Sequence, residues 1–135
     1  KEYCIQGGYD VPVFGSGDLF HPGDAQKMLQ ETGIDGVMFA RGAMGNPFIF
    51  RQAREILQGG EASPILLSER IATILRHLDL MIDYYGEKSA CTQMRKHTCS
   101  YLKGVANAAP IKAVVVQANT REDYLEAMQT LQASC

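Results

Sequence analysis

The chain has 135 residues, a formal net charge of −2, and a composition that is 46% hydrophobic and 21% charged. That balance is close to an ordinary globular domain and gives no overall field for nucleic acid or a membrane surface. No apolar run reaches the ~18 residues needed to span a bilayer. Lys1-Glu2-Tyr3-Cys4 carries no signal-peptide pattern, so a cytoplasmic location is expected.

In chain order, Val11-Pro12-Val13-Phe14 reads as a short buried strand ended by the turn Gly15-Ser16-Gly17-Asp18. Pro22 suits the first turn of a helix carrying Ala25, Met28 and Leu29, and Gly33 suits its C-cap. Val37-Met38-Phe39 reads as a second buried strand, which makes a strand–helix–strand unit with parallel strands. After Ala40-Arg41-Gly42-Ala43-Met44-Gly45, Asn46 is expected to cap a helix that begins at Pro47. Phe48, Ile49, Ala53, Ile56 and Leu57 form its apolar face, and Gly59-Gly60 stops it. Two parallel strands leave faces and edges uncovered, so the first part is expected to be the end of a larger sheet.

Gly59-Gly60-Glu61-Ala62-Ser63-Pro64 reads as a boundary. Beyond it the period becomes helical. Ile71, Ile74, Leu75, Leu78, Ile82 and Tyr85 form one stripe of a long helix ended by Gly86. A second helix from about Lys88 to Lys103 places Cys91, Met94, Tyr101, Leu102 and Val105 on one arc. Two shorter helices are expected over 109–117 and 120–133, the last capped by Thr120 with Glu122 and Asp123 in its first turn. Residues 61–135 therefore read as a small antiparallel helical bundle.

Two constellations carry chemistry. The two glycine turns follow successive strands, at the strand ends where α/β folds bind ligands, and their backbone N–H groups suit an anion. They serve equally as plain tight turns. Asp18 fits a turn or capping role, and Arg41 calls for either an anion or a carboxylate partner. Next, no Asp or Glu occurs from Lys88 through Arg121. Within that stretch Lys88, Arg95, Lys96 and Lys103 share a helical arc of roughly 100°. Such a stripe binds phosphate backbones, or is a solvated face paired with Asp79, Asp83 or Glu87. His97 lies at the border of the apolar arc, where a core or interhelical hydrogen bond is expected. Cys4, Cys91, Cys99 and Cys135 lack CxxC spacing, and no histidine is placed to build a zinc site with them, so buried or free thiols and no metal site are expected. No catalytic nucleophile or general acid stands out.

Three motifs in one order resemble the C-terminal part of the bacterial tRNA-dihydrouridine synthases. They are Val11-Pro12-Val13-Phe14-Gly15-Ser16-Gly17-Asp18-Leu19, then Thr32 through Pro47, then Arg95-Lys96-His97. The resemblance implies the last β-α-β-α portion of a TIM barrel over residues 1–60, followed by a helical tRNA-binding domain over 61–135. It implies FMN as cofactor, NADPH as reductant, and reduction of uridine to dihydrouridine in tRNA. By this resemblance the Asn-Gly-Asp turn that contacts FMN falls on Ser16, Gly17 and Asp18. The Gly-Arg pair at the FMN phosphate falls on Ala40 and Arg41. The family's Arg-Lys-His motif, in its tRNA-binding helical domain, falls on Arg95, Lys96 and His97, and Lys103 of the basic arc is expected to join Arg95 and Lys96 on tRNA phosphates. Ser16 stands for the family's Asn and Ala40 for its Gly, and Thr92 occupies a position that is basic in many relatives. The family's catalytic cysteine belongs to an earlier loop whose motif none of the four cysteines matches, so the chain alone is expected to be inactive. Two other readings remain: a different FMN-barrel oxidoreductase acting on a small molecule, and a non-enzymatic helical RNA-binding module.

Overall fold

The computed structural model describes residues 1–134; Cys135, read above as a free thiol, lies outside the described residues. The chain divides after Pro64 into two units. The first contains α1 (Glu2–Gln6), β1 (Phe14–Gly15), α2 (Pro22–Thr32), β2 (Gly36–Val37), a 3-10 turn (Arg41–Ala43) and α3 (Ile49–Leu57). The second contains α4 (Leu67–Tyr85), α5 (Glu87–Tyr101), α6 (Ala108–Val115) and α7 (Arg121–Ala133). No described helix is long and apolar enough to cross a membrane.

β1 and β2 pair in parallel, Phe14 against Gly36 and Gly15 against Val37, with α2 as the crossover. Both strands are shorter than the sequence pattern suggests. Pro12 has no N–H to offer a ladder, and the Val13 N–H donates to the Asp35 carboxylate at 2.8 Å instead. Lys1 Nζ also donates to that carboxylate, and its hydrogen bonds with Lys1 and Val13 hold it below the usual carboxylate range. The ladder is extended by Asp35 N–H to the Val13 carbonyl and Met38 N–H to the Gly15 carbonyl. The expectation of buried strands is corrected: Phe14, Val11 and Met38 are exposed, because α2 and α3 leave part of the pair uncovered.

α2 begins at Pro22, as its fixed φ favours, and ends at Gly33 in the left-handed region at φ 62°. The Asp24 carboxylate accepts the His21 and Phe20 N–H groups at 2.7 and 2.8 Å, which lowers its pKa. α3 starts two residues later than expected. Phe48, not Asn46, occupies its N-cap position, and Asn46 gives its backbone carbonyl to the Ile49 N–H. The boundary segment is not loose. Ser63 donates through N and Oγ to the Glu55 carboxylate, and Gln52 Nε2 donates to the Ser63 carbonyl.

In the second unit α4 packs on α5, α5 on α6, α6 on α7, and α7 back on α4. The core draws Ile71, Ile74, Leu78 and Met81 from α4, Cys91 and Met94 from α5, Val115 from α6, and Tyr124, Met128 and Leu131 from α7. Tyr85, expected on the apolar stripe, is exposed; Met81 takes that place one turn earlier. Gly86 ends α4 at φ 75° and leads directly into α5. Thr120 caps α7 as expected, its hydroxyl accepting the Asp123 N–H, while the Asp123 carboxylate returns to the Thr120 N–H.

Candidate functional site

The two glycine turns lie side by side at the C-terminal ends of β1 and β2. Residues 16–20 and 40–42 with Met38 enclose a small cavity of about 100 Å³. Their spacing depends on Gly42: a Cβ there would sit 2.0 Å from the Leu19 carbonyl oxygen, an impossible contact with backbone. Gly17, at φ 150°, and Asp18, at φ 46°, complete a turn that glycine and aspartate tolerate better than most residues. Among the described residues the Gly17 and Asp18 N–H groups donate to no protein acceptor. Ala40 has φ −108°, outside the left-handed region that favours glycine, with ψ −92° beyond the usual helical range.

Arg41 answers its sequence alternative with a carboxylate. Its Nη2 lies 2.5 Å from Asp18 Oδ1, and its guanidinium carbon lies 5.4 Å from the centroid of the Phe20 ring. Both partners of the ion pair are open to solvent, at 71% and 78% side-chain exposure. Phe20 escaped the sequence reading because nothing in spacing announces an aromatic ring beneath an arginine. Arg41 opens a 3-10 turn rather than running straight into α3. The cradle therefore consists of loop backbone, the Arg41 guanidinium and the Asp18 carboxylate paired with it.

The basic constellation separates into different environments. Arg95 donates from Nε and Nη2 to the Ala118 carbonyl at 3.1 and 2.9 Å, and from Nη2 to Asn119 Oδ1. It thereby covers carbonyls just past the C-terminus of α6, where a cation is favourable. Arg121 pairs with Asp79, and its N–H donates to Glu87. Lys88, Lys96 and Lys103 are exposed and have no carboxylate partner among the described residues. α5 ends at Tyr101, so the helical arc holds for Lys88, Arg95 and Lys96, while Lys103 sits in the following turn.

His97 meets the expectation of an interhelical contact. Its ring is 5.1 Å from that of His77, and the His77 Nδ1 is 3.3 Å from the Tyr101 hydroxyl. Burial lowers the pKa of both histidines; the neighbouring His97 adds to the shift of His77, and Lys96 to that of His97. Two larger depressions of about 490 Å³ lie in the second unit. The one between α6 and α7 is walled by Asp123 and Glu126, which repel a phosphate, and the one at the α4–α5 corner is wide open. Size alone does not locate the anion chemistry. Cys4, Cys91 and Cys99 are free thiols, and burial raises the pKa of Cys91.

A sequence model described as dihydrouridine synthase (Dus) matches residues 3–135. The chain is similar to a probable tRNA-dihydrouridine synthase of Treponema pallidum (strain Nichols), 54% identical over 101 residues, 75% of this chain and 30% of that protein. It is also similar to proteins described in the same words from Aquifex aeolicus (strain VF5), 33% identical over 119 residues, and Mycobacterium tuberculosis (strain CDC 1551 / Oshkosh), 32% identical over 114 residues. The matches cover 88% and 84% of this chain, and 36% and 29% of those relatives. The chain thus spans about a third of the length of these curated relatives. With nearly every residue matched, it belongs to the dihydrouridine synthase family.

Proposed function

We propose that this chain supplies the phosphate end of a flavin site and an RNA-binding helical face to a cytoplasmic tRNA-dihydrouridine synthase. On this reading residues 1–60 are the last β-α-β-α portion of a TIM barrel. Residues 61–135 are the helical tRNA-binding domain. The observation that carries the reading is the meeting of the two strand-end loops, fixed by Gly42 against the Leu19 carbonyl, with Arg41 on their shared cavity. The parallel β1–β2 pair with its α2 crossover supports the barrel assignment.

The cavity matches a phosphate in size and chemistry, and is too small for a flavin ring. Arg41 would hold the FMN phosphate, with the Gly17 and Asp18 N–H groups beside it and Ser16 and Ala40 shaping the loop walls. When bound, FMN supplies hydride transfer to the uracil ring, with NADPH as the reductant. The residues present here bind and orient; none is placed at the reacting carbon. Lys96 and Lys103 hold tRNA phosphates. Arg95 adds its remaining Nη1 donors and keeps the α5–α6 junction in place.

The test is the dihydrouridine content of tRNA from a strain lacking the gene, measured by mass spectrometry of nucleosides. Loss at one or more positions, restored by the intact gene and reduced by Arg41→Ala in it, is the expected result. Unchanged dihydrouridine at every position, in a strain with no second enzyme of the family, overturns the reading.

A further inference from the structure

In this structure the positive charge of the cradle is already answered from inside the chain. Among the described residues Arg41 and Asp18 are the only charged ones lining the small cavity, and they face each other at 2.5 Å. The resting cradle is therefore neutral, an unusual state for a site that must attract an anion. Both side chains are largely exposed, and an exposed ion pair contributes little, so the contact is easily broken.

Asp18 can leave Arg41 toward solvent. With Gly17 and Leu19 it forms the wall shared by the small cavity and a neighbouring one of about 250 Å³. On α2 that second cavity is lined by Asp24 and Glu31 as well as Lys27, and Lys27 lies 4.0 Å from Glu31, so its charge does not favour a further carboxylate. The Asp18 side chain is already 78% exposed, and water can take its carboxylate.

We infer that Asp18 is a displaceable counter-ion that occupies Arg41 in the empty cradle and turns out into solvent when a phosphate group arrives. The inference rests on reading the cradle as a phosphate site. It makes Asp18 an element of selectivity. A monoanionic carboxylate ligand gains little over the internal carboxylate. A phosphate, with more charge and three oxygens for the guanidinium and loop amides, displaces it.

The experiment is titration of the 135-residue chain with inorganic phosphate, read from the amide shifts of residues 16–18 and 40–42 by NMR at several salt concentrations. Asp18→Asn is the informative variant, since asparagine keeps the shape and accepts the left-handed backbone. The expected result is binding tighter than wild type by about two- to fivefold, the range an exposed ion pair can set. The gain should fall with salt, because the cradle now carries a net positive charge. Asp18→Asn binding equal to or weaker than wild type overturns the inference. In that case a site lost in Arg41→Ala leaves the cradle itself standing. If phosphate moves none of these amides in wild type or Asp18→Asn, the cradle reading falls and the inference falls with it.

Discussion

Arg95 and Lys96 are neighbours in one motif, yet they do different work. The Arg95 guanidinium is tied to the Ala118 carbonyl and Asn119, whereas the Lys96 ammonium has no carboxylate partner among the described residues. Lys96→Ala should therefore lower tRNA affinity and reduce the slope of log affinity against log salt by roughly one, with the melting temperature unchanged. Arg95→Ala should instead lower the stability of the helical unit by about 1–3 kcal/mol, because it strips a charged donor from half-buried carbonyls. Urea unfolding and filter binding at several salt concentrations separate the two effects. Gly42 is decisive in another way. Gly42→Ala places a methyl group 2.0 Å from the Leu19 carbonyl oxygen. The loops must part, so the phosphate-induced amide shifts should vanish and stability should fall by about 1–3 kcal/mol.

At the scale of elements, helix ends were more legible than strand ends. Gly33, Gly86 and Thr120 mark their helices where the pattern places them, because left-handed glycine and a capping hydroxyl act locally. Asn46 did not cap α3, since a turn over Arg41–Ala43 and the Asn46 carbonyl intervene before Ile49. Strand extent is a matter of partners, and Asp35 takes the Val13 N–H that a longer ladder needs. The α7 cap permits a quantitative check: Thr120→Ala should destabilise the helical unit by about 1 kcal/mol, read as a lower urea midpoint at unchanged m. α7 is also held from the side, where the buried Tyr124 hydroxyl donates to the Cys91 carbonyl at 2.7 Å. Burial raises the pKa of that phenol, so it stays protonated as donor throughout the neutral range.

For the molecule as a whole, the helical unit has a well-filled core, whereas the first unit leaves apolar strand residues in solvent. Its stability should also depend on pH. His77 and His97 bind protons less readily in the folded chain than in the unfolded one, because burial disfavours their charged forms. The unfolded state thus takes up more protons as pH falls through the ordinary histidine range near 6.5, and stability drops until the folded histidines titrate. The urea midpoint of the helical unit should fall between about pH 7 and pH 5. His77→Gln should flatten that dependence, and an undiminished slope in the variant assigns it to other groups.

The sequence by itself determined the helices from α2 onward (though not α1), the division near Gly59–Pro64, and the two glycine turns after successive strands. These depend on period, on capping chemistry, and on residues that act within a few positions of themselves. It also carried the family motifs, because they are contiguous strings. Only the tertiary structure decided how the charges are shared. Arg41 meets Asp18, Arg121 meets Asp79, and Arg95 meets the end of α6, each across more than twenty residues of chain. A charge in a sequence has a sign but no partner, and the partner is chosen by whichever opposite charge or carbonyl the fold brings within a few ångströms. That choice separates a lysine left open to solvent from an arginine that holds two helices together, and it sets a carboxylate against the arginine of the strand-end cradle.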